Sequence, residues 1–378
     1  MRAMPLLLLS LLLHAWIAWR VLPALPLAGA VAFGAWIAVS ALILPLGMAL
    51  RRVWRTGSAD RLAWLVYGFL GVFSSLLVLT LLRDGVLLAA VAFDALVPGR
   101  LDLARLAAWS AAAVPLGGLA ISAVGFVNAR RTAAVVSVDV PIAGLPEALH
   151  GFTIAQISDV HVGPTIKGPY LDAIVGAVNR LRPDMVAVTG DLVDGSVAQL
   201  AGHVAPLAGL ASRHGTFFVT GNHEYYSGAA GWIVELRRLG LKVLLNEHVV
   251  LREGDAALVV AGVTDWSAHH FGESHRSDPT AALRGAPADA VKLLLAHQPR
   301  SAPAAAAAGY HLQLSGHTHG GQFLPWNFLV RLQQPFTAGL HRFRALWVYV
   351  SRGTGYWGPP KRFGAPSEIT RLRLVPAA

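Results

Sequence analysis

The sequence predicts an α/β layered domain that follows an N-terminal bundle of transmembrane helices. In residues 1–131 long apolar stretches dominate, and about 20 mostly apolar residues in a helix are enough to cross a bilayer. In residues 132–378 short apolar runs alternate with helical patterns. These runs are continuous more often than alternating, which is typical of strands that are covered on both faces by other layers.

Four apolar stretches of the first part predict membrane spans. The first is short and follows Arg2, as a signal peptide would, but apolar sequence continues beyond it, so an uncleaved span is favoured. Residues 86–97 are apolar but short and contain Asp94, so we interpret them as a re-entrant or interfacial piece, with a fifth span as the alternative. The four predicted spans cover residues 4–19, 25–50, 62–82 and 103–127.

Arginine placement predicts the orientation of these spans. Residues 1–131 carry eleven Arg and four Asp, and so contribute +7 of the formal net charge of +10. Basic clusters that flank spans mark the cytoplasmic side. Four spans place two such clusters on that side, together with both termini and the second part of the chain. One cluster is Arg51, Arg52, Arg55 and Arg61, and the other is Arg130 and Arg131.

Composition limits the classes of function. The second part has 20 basic and 17 acidic side chains and no dense basic run. The net charge is therefore better explained by arginines that flank membrane spans than by a nucleic-acid-binding function, although nucleic acid stays open as a partner. The spans contain few polar residues, so an anchor is favoured over a transporter. Cysteine is absent, which excludes disulfides, zinc–thiolate sites and a cysteine nucleophile.

The second part is expected to be one layered domain at residues 151–378. Residues 132–150 precede it, and their valine-rich alternation and prolines predict a linker and edge strand. Residues 170–181 predict a helix, and the continuous apolar runs predict strands. These strands are expected at 152–158, 185–189, 216–220, 241–245, 257–263, 291–296, 311–315, 346–351 and 369–374.

Polar side chains follow five of these runs, where each strand would end. They offer oxygen and imidazole ligands, a mixture that suits Mn, Fe, Zn or Co better than Ca or Mg. In extended backbone residues i and i+2 point the same way, so each x-separated pair can meet one cation. The set is large enough for two adjacent ions, a pair suited to splitting a phosphate ester with water. The pieces are Asp159-x-His161, Gly190-Asp191, Gly221-Asn222-His223-Glu224, His297 and Gly316-His317-x-His319.

Each piece alone has an ordinary structural explanation. A Gly-Asp pair is common in turns, Asn222 can cap a helix, and a single histidine such as His297 often packs inside a domain. The metal site is favoured by the joint order of the pieces, each at the end of an apolar run. Other histidines compete with His297 for a ligand role, namely His269, His270, His275 and His311.

The order of these motifs resembles the calcineurin-like metallophosphoesterase superfamily. Residues 316–322 (GHTHGGQ) and 349–353 (YVSRG) are similar to its membrane-anchored bacterial branch. The resemblance covers about residues 135–375 and implies a four-layered α/β/β/α sandwich with the site at one edge. It also implies an integral protein of a bacterial inner membrane, whose catalytic domain we expect in the cytoplasm.

The resemblance assigns a role to each site residue by its position. Asp191 would bridge two divalent metal ions. His223 would not bind metal but would face the scissile phosphate, where it stabilises charge or protonates the leaving alkoxide. Glu224 would orient His223 or start a helix. The first ion would be held by Asp159, His161, Asp191 and His319, and the second by Asp191, Asn222, His297 and His317.

These roles predict a membrane-tethered, metal-dependent phosphoric ester hydrolase, in which metal-bound hydroxide attacks a phosphodiester or pyrophosphate. Membrane attachment favours a lipid-linked substrate, and no protein partner is inferred. A nucleotide or nucleic-acid phosphodiesterase and a non-catalytic scaffold on the same fold are the alternatives. The apolar segment at residues 323–329, which follows the GHTHGGQ loop, either packs in the core or forms a wall for an acylated substrate.

Overall fold

The computed structural model of the protein describes residues 3–50 and 57–377. The chain divides into two compact units. One consists of Met1–Val127 with Gly358–Lys361, and the other of Asn128–Trp357 with Arg362–Ala378. The first unit is mainly helical and apolar, whereas the second contains all the strands of the described chain.

Four long helices build the first unit, and the last of them ends three residues into the second. Within the described ranges, all four are long and apolar enough to cross a membrane. The basic residues Arg51, Arg52 and Arg55, on which the predicted orientation partly rests, lie outside the described residues. The helices are α1 (Ala3–Val21), α2 (Leu27–Leu50), α3 (Gly57–Leu96) and α4 (Leu103–Arg130).

The predicted re-entrant piece at residues 86–97 is wrong. Residues 86–96 continue α3 without a break, so that α3 is a single helix of 40 residues. At a rise of 1.5 Å per residue, this helix is about 60 Å long, roughly twice the thickness of the hydrocarbon core of a bilayer. The interruption of the hydrophobic pattern therefore comes from two charged residues within the helix, the buried Arg83 and its neighbour Asp84, and not from a turn. Asp84 accepts hydrogen bonds at 2.9 Å from Arg20 at the end of α1.

Two six-stranded sheets form the centre of the second unit, in the orders β1-β12-β2-β3-β4-β5 and β10-β11-β9-β8-β7-β6. All the predicted strands are present, and β6 and β10 are additional antiparallel strands, one at each edge of the second sheet. The strands are β1 (Ala134–Ile142), β2 (Thr153–Ile157), β3 (Met185–Val188), β4 (Thr216–Phe218), β5 (Lys242–Val243), β6 (Glu247–Glu253), β7 (Ala256–Gly262), β8 (Val291–Leu295), β9 (Leu312–Ser315), β10 (Gly339–Phe343), β11 (Leu346–Val350) and β12 (Glu368–Pro376).

The two sheets pack face to face with helices outside them, because the central strands are apolar on both faces. Ile154 and Phe217 of the first sheet share a buried cluster with Val260 and Leu293 of the second. The outer face of the first sheet is covered by α5, α6 and α8, and that of the second by α9. This α/β/β/α arrangement confirms the predicted fold class. The helices are α5 (Gly168–Arg180), α6 (Val197–Val204), α7 (Asn222–Ser227), α8 (Ala229–Arg238), α9 (Ala302–Ala307) and α10 (Trp326–Val330).

Candidate metal centre

The predicted site residues all follow the carboxyl ends of parallel strands. Those of the first sheet come after β2, β3 and β4, which pair in parallel. Those of the second sheet come after β8 and β9, which are also parallel to each other. Because the carboxyl ends of parallel strands meet at one edge, the facing sheets bring these loops together.

A first group of ligand atoms is formed by Asp159, His161 and His319, whose ligand atoms lie within 4.8 Å of one another. Nε2 of His161 is 3.0 Å from Nε2 of His319, and Oδ1 of Asp159 is 3.6 Å from the latter atom. Nδ1 of His161 faces Oδ1 of Asp194 at 3.2 Å. A ligand histidine is commonly oriented in this way, by a carboxylate on its other ring nitrogen.

A second group is formed by Asp191, His297 and His317. Nε2 of His297 lies 3.1 Å from Oδ2 of Asp191 and 3.2 Å from Nδ1 of His317. Nδ1 of His297 donates to the carbonyl of Thr189 at 2.8 Å, which leaves Nε2 free to bind a cation. Oδ2 of Asp191 is also 4.0 Å from Nε2 of His161, so this carboxylate lies between the two groups.

Asn222 supplies an independent test of whether these residues fit a metal. Its Oδ1 is buried and has no hydrogen-bond partner within the described residues. A buried amide oxygen without a partner costs about 1–3 kcal/mol, a cost that a cation would remove. The backbone N–H groups of its neighbours Gly221 and His223 bond to Glu224 and Asp191, so Asn222 belongs to a loop that borders the site. An amide oxygen fits a transition-metal centre that also has nitrogen and carboxylate donors.

The backbone of the site is strained where the side chains converge. A non-glycine residue in left-handed conformation is uncommon and costs of order 1–3 kcal/mol, so five such residues in one site indicate a functional constraint. The expectation that these residues continue the extended backbone of their strands is wrong. The five are Asp159 (φ 53°), His161 (φ 55°), Asp191 (φ 51°), His317 (φ 70°) and His319 (φ 51°).

Two glycines of the motifs are required by close approach. A Cβ on Gly190 would lie 2.6 Å from the backbone nitrogen of Gly221 and 2.9 Å from Nδ1 of His297. A Cβ on Gly316 would overlap Oγ of Ser158 and Oδ2 of Asp159. Any side chain at these positions would push the strand-end loops apart.

Glu224 holds the loops of the site together. Its buried carboxylate accepts four backbone hydrogen bonds, from Gly221 at 2.6 Å, Asp191 at 3.0 Å, Leu192 at 2.7 Å and Val193 at 3.3 Å. Burial, together with the charge of Asp191, raises the pKa of Glu224 to about 7, and the bonds from Gly221 and Leu192 oppose this rise. Glu224 thus caps α7 and also joins the loop after β3 to the loop after β4.

Replacing Glu224 with glutamine is expected to destabilise the protein by about 2–6 kcal/mol. The amide NH₂ has to face two backbone N–H groups, and each buried donor without a partner costs about 1–3 kcal/mol. The melting temperature of the purified full chain measures this loss. The matched control is Glu235→Gln, because Glu235 bonds only to exposed Arg238 within the described contacts. An equal, small shift for both variants would contradict the assigned role.

His223 lies close to Asp191, and one of its ring nitrogens contacts the carboxylate of Asp194. Its Nδ1 is 2.5 Å from Oδ1 of Asp194, and its Nε2 is 4.0 Å from Oδ2 of Asp191. Burial lowers the pKa of His223, but the charge of Asp191 and the bond to Asp194 outweigh burial and raise it to about 9. For Asp194, burial favours the neutral acid, yet the charges and bonds of His161 and His223 hold its pKa below the ordinary value.

Two residues of the site were missed from the sequence. Asp194 orients both His161 and His223, and the carboxylate three positions after Asp191 was the available signal. Arg362 is fully buried and donates from Nη1 to the carbonyl of His319 at 2.9 Å, while its Nη2 is 3.1 Å from Nδ1 of that ring. No motif surrounds Arg362, so only the fold brings it to the site.

The structure also separates His297 from the histidines that compete with it. Nδ1 of His311 accepts a hydrogen bond from the backbone of Lys292 at 3.0 Å, and His269 contacts the carbonyl of Trp266. Within the described residues, His269, His270, His275 and His311 take part in none of the groups that could hold a metal ion.

Comparison with known proteins agrees with this geometry. The family model of calcineurin-like phosphoesterases matches residues 152–321. A protein of Aquifex aeolicus named "Uncharacterized metallophosphoesterase" is 34% identical over 223 residues, which cover 58% of this chain and 84% of its own length. The chain belongs to the calcineurin-like phosphoesterase family. A solved dimetal phosphatase from Danio rerio aligns with 54% of this phosphoesterase and 88% of its own chain, with 14% identity and a TM-score of 0.37.

Relatives with membrane segments are also similar to this phosphoesterase. A Bos taurus protein named "Transmembrane protein with metallophosphoesterase domain" is 42% identical over 292 residues, 74% of this chain and 65% of its own length. The matched part, 74% of the chain, is longer than the second unit. The similarity therefore extends into the apolar helices. The chain spans 60–65% of the length of the first relatives that it matches. The four apolar helices and these relatives indicate a membrane protein.

Proposed function

We propose that this membrane phosphoesterase hydrolyses a phosphodiester or pyrophosphate with two divalent transition-metal ions, Mn, Fe, Zn or Co. The observation that carries the proposal is the position of Asp191. It belongs to the second ligand group, and its carboxylate also lies 4.0 Å from His161 of the first group. In this proposal Asp159, His161, Asp191 and His319 hold one ion, and Asp191, Asn222, His297 and His317 hold the other. When bound, such ions supply activated water at neutral pH and neutralise charge on phosphate oxygens.

The protein's own residues then position and protonate the substrate. Because Nδ1 of His223 is held by Asp194, its Nε2 is the atom left to face a phosphate bound between the ligand groups. From there the imidazole can stabilise the charge that develops on phosphate oxygen or give a proton to the leaving alkoxide. We therefore assign His223 as the catalytic residue and Asp194 as the residue that positions it.

An aromatic rim beside His223 supports a substrate with an apolar part. The rings of Tyr226 and Trp357 lie 5.4 and 5.6 Å from that of His223, and their residues are 65% and 53% exposed. Gln322 joins Trp357 to the segment at residues 323–329, because its side chain bonds to the backbone N–H and carbonyl of Trp357 at 2.8 and 2.9 Å.

The apolar segment at residues 323–329 extends this rim. Leu324, Phe328 and Leu329 are 45%, 62% and 51% exposed, so core packing is wrong for these three residues. Exposed apolar side chains grouped beside a site mark a binding surface. In a membrane protein this favours a lipid-linked phosphoester, and we place the catalytic domain on the cytoplasmic side of a bacterial inner membrane. Aromatic rings also stack on bases, so a nucleotide phosphodiester is the second candidate.

Metal-dependent turnover tests the proposed activity. The purified full chain is stripped with a chelator, reloaded separately with Mn, Co, Fe or Zn, and assayed on bis-p-nitrophenyl phosphate. We expect turnover with at least one of these ions and none in the stripped protein. Absence of turnover with all four would favour a non-catalytic scaffold and contradict the proposal.

The Trp357→Ala variant tests the lipid-linked substrate. We expect its KM for a nucleoside-diphosphate-linked diacyl lipid in detergent micelles to rise about tenfold, since an aromatic contact is worth about 0.5–1.5 kcal/mol beyond its buried area. Its kcat should stay unchanged, as should both constants for bis-p-nitrophenyl phosphate. Trp266→Ala is the control, because Trp266 is an exposed tryptophan whose ring packs on Arg300 and not on His223. A preference for the soluble nucleotide without acyl chains would favour the second candidate.

A further inference from the structure

The helical unit contains a cavity that the phosphoesterase activity does not use. It has a volume of about 410 Å³, and every residue that lines it is apolar. The lining comes from α2, α3 and α4 and from Leu25 and Pro26, which precede α2. Pockets of about 300–1,000 Å³ are large enough to hold most of a small ligand. Because its walls are almost entirely apolar, the cavity offers little hydrogen bonding to water.

Small residues on facing helices create the cavity. Gly29 and Ala32 line it from α2, and Ala112 lines it from α4. A Cβ built on Gly29 would have no atom within 4 Å, so the space beside this glycine is open. Larger side chains form a fixed inner wall, because Phe33 and Leu76 are 9% and 1% exposed.

A polar layer lies next to one end of the cavity. Leu25 and Pro26, which line it, follow Arg20 by only a few residues. Arg20 is paired with Asp84 at 2.9 Å, and Arg83 donates to the carbonyl of Arg20 at 3.0 Å. Arginines at this depth mark the headgroup level of a bilayer. The cavity therefore begins just inside the interfacial layer and extends along the helices toward the hydrocarbon core.

Exposed tryptophans mark the same layer. Trp19 precedes Arg20 and is 70% exposed, and Trp109, three residues before Ala112, is 68% exposed. Tryptophan is enriched at both membrane–water interfaces. Arginine and tryptophan thus place one end of the cavity at the depth where phospholipid chains leave their headgroups.

We propose that this cavity binds one hydrocarbon chain of a membrane phospholipid, whose headgroup lies in the layer of Arg20 and Arg83. The cavity is backed by the buried Phe33 and Leu76 and is open beside Leu116 and Leu119, which are 68% and 56% exposed. In a bilayer these apolar walls face hydrocarbon, so a lipid chain is what can make dispersion contacts with them. The site differs from the rest of the lipid-facing surface because Gly29, Ala32 and Ala112 let a chain enter between the helices. This inference does not depend on the proposed hydrolysis.

Photolabelling tests the proposal. The full chain is reconstituted in vesicles of phosphatidylethanolamine that contain a small fraction of phosphatidylglycerol with a diazirine in its acyl chain. After irradiation, labelled peptides are mapped by mass spectrometry. We expect labelling concentrated on the cavity residues of α2 and α4, and loss of this labelling in Gly29→Phe, whose ring fills the space. Labelling spread over all helices in proportion to their exposure would overturn the proposal.

A matched glycine supplies the control. Gly68 on α3 is also exposed and has no atom within 4 Å of a built Cβ, but it does not line the cavity. Gly68→Phe should therefore keep the labelling pattern of the natural protein. Ala112→Leu, which enters the cavity from α4, should reduce labelling if Gly29→Phe fails to fold. Equal labelling in Gly68→Phe and in a folded cavity variant would contradict the proposal.

Discussion

Replacing Asp191 with asparagine is expected to remove both of the proposed metal ions and to lower turnover by about 10⁴-fold or more, the scale on which members of a catalytic unit act. Oδ2 of Asp191 lies 3.1 Å from Nε2 of His297 and 4.0 Å from Nε2 of His161, so one carboxylate serves both groups. Asparagine keeps the shape but loses the negative charge that two cations require. Metal content by mass spectrometry and the rate on bis-p-nitrophenyl phosphate measure the two effects.

The control for this variant is Asp172→Asn, a substitution of the same type on the exposed face of α5. It should keep both ions and the full rate. Oδ1 of Asp191 also accepts the backbone N–H of His223 at 2.9 Å, and an asparagine oxygen can still accept it. A folded Asp191→Asn protein is therefore expected. Retention of two ions per chain in that protein would show that Asp191 does not bridge them.

The strand-end positions of the site were predictable because they depend on local sequence. A strand covered on both faces needs a continuous apolar run, and the run ends where polar ligands begin, as at Asp159 after β2. The glycines were predictable for the same reason, since Gly190 and Gly316 stand where two chain segments approach too closely for a Cβ. This part of the prediction needed only the residue types and their spacing over a few neighbouring positions.

The remaining features depend on contacts between distant segments. Glu224 accepts N–H groups from a loop more than 30 residues away, and Arg362 reaches His319 across 43 positions. Neither pairing leaves a pattern in its own neighbourhood. Strand β6 was missed because it is a sheet edge with mostly exposed or half-buried residues, so its apolar run is only three residues long, from Val249 to Leu251.

The exposed aromatic rim shows a further limit of reasoning from local composition. The apolar segment at residues 323–329 is hydrophobic enough for a core, yet Phe328 and Leu329 are more than half exposed. Hydrophobicity predicts that a side chain leaves water but not what it contacts. In a membrane protein with the proposed activity, that contact can be the substrate or the bilayer.

Replacing His223 with alanine is expected to lower kcat by about 10²–10⁴-fold, the usual range for general acid–base catalysis, while both metal ions stay bound. Nδ1 of His223 is engaged with Asp194 and its Nε2 is 4.0 Å from an Asp191 oxygen, so neither the group around Asp159 nor the group around Asp191 needs this ring. His223 also forms a third possible ligand group with His161 and Asp194, which makes the metal content the deciding measurement. Metal analysis and steady-state kinetics on the same preparation measure both properties. Loss of metal together with activity would identify His223 as a ligand instead.

The leaving group distinguishes the two ways in which His223 can act. A proton donor matters most when the leaving alkoxide is basic, and it matters little for p-nitrophenolate, which leaves without protonation. If His223 gives the proton, His223→Ala should lose far more rate on an alkyl phosphodiester than on bis-p-nitrophenyl phosphate. If it only stabilises charge on the phosphate oxygens, both substrates should lose rate by a similar factor, because that charge develops in either reaction. In both cases the contact with Asp194 supports the role, because a carboxylate on Nδ1 stabilises the protonated imidazole that either mechanism requires.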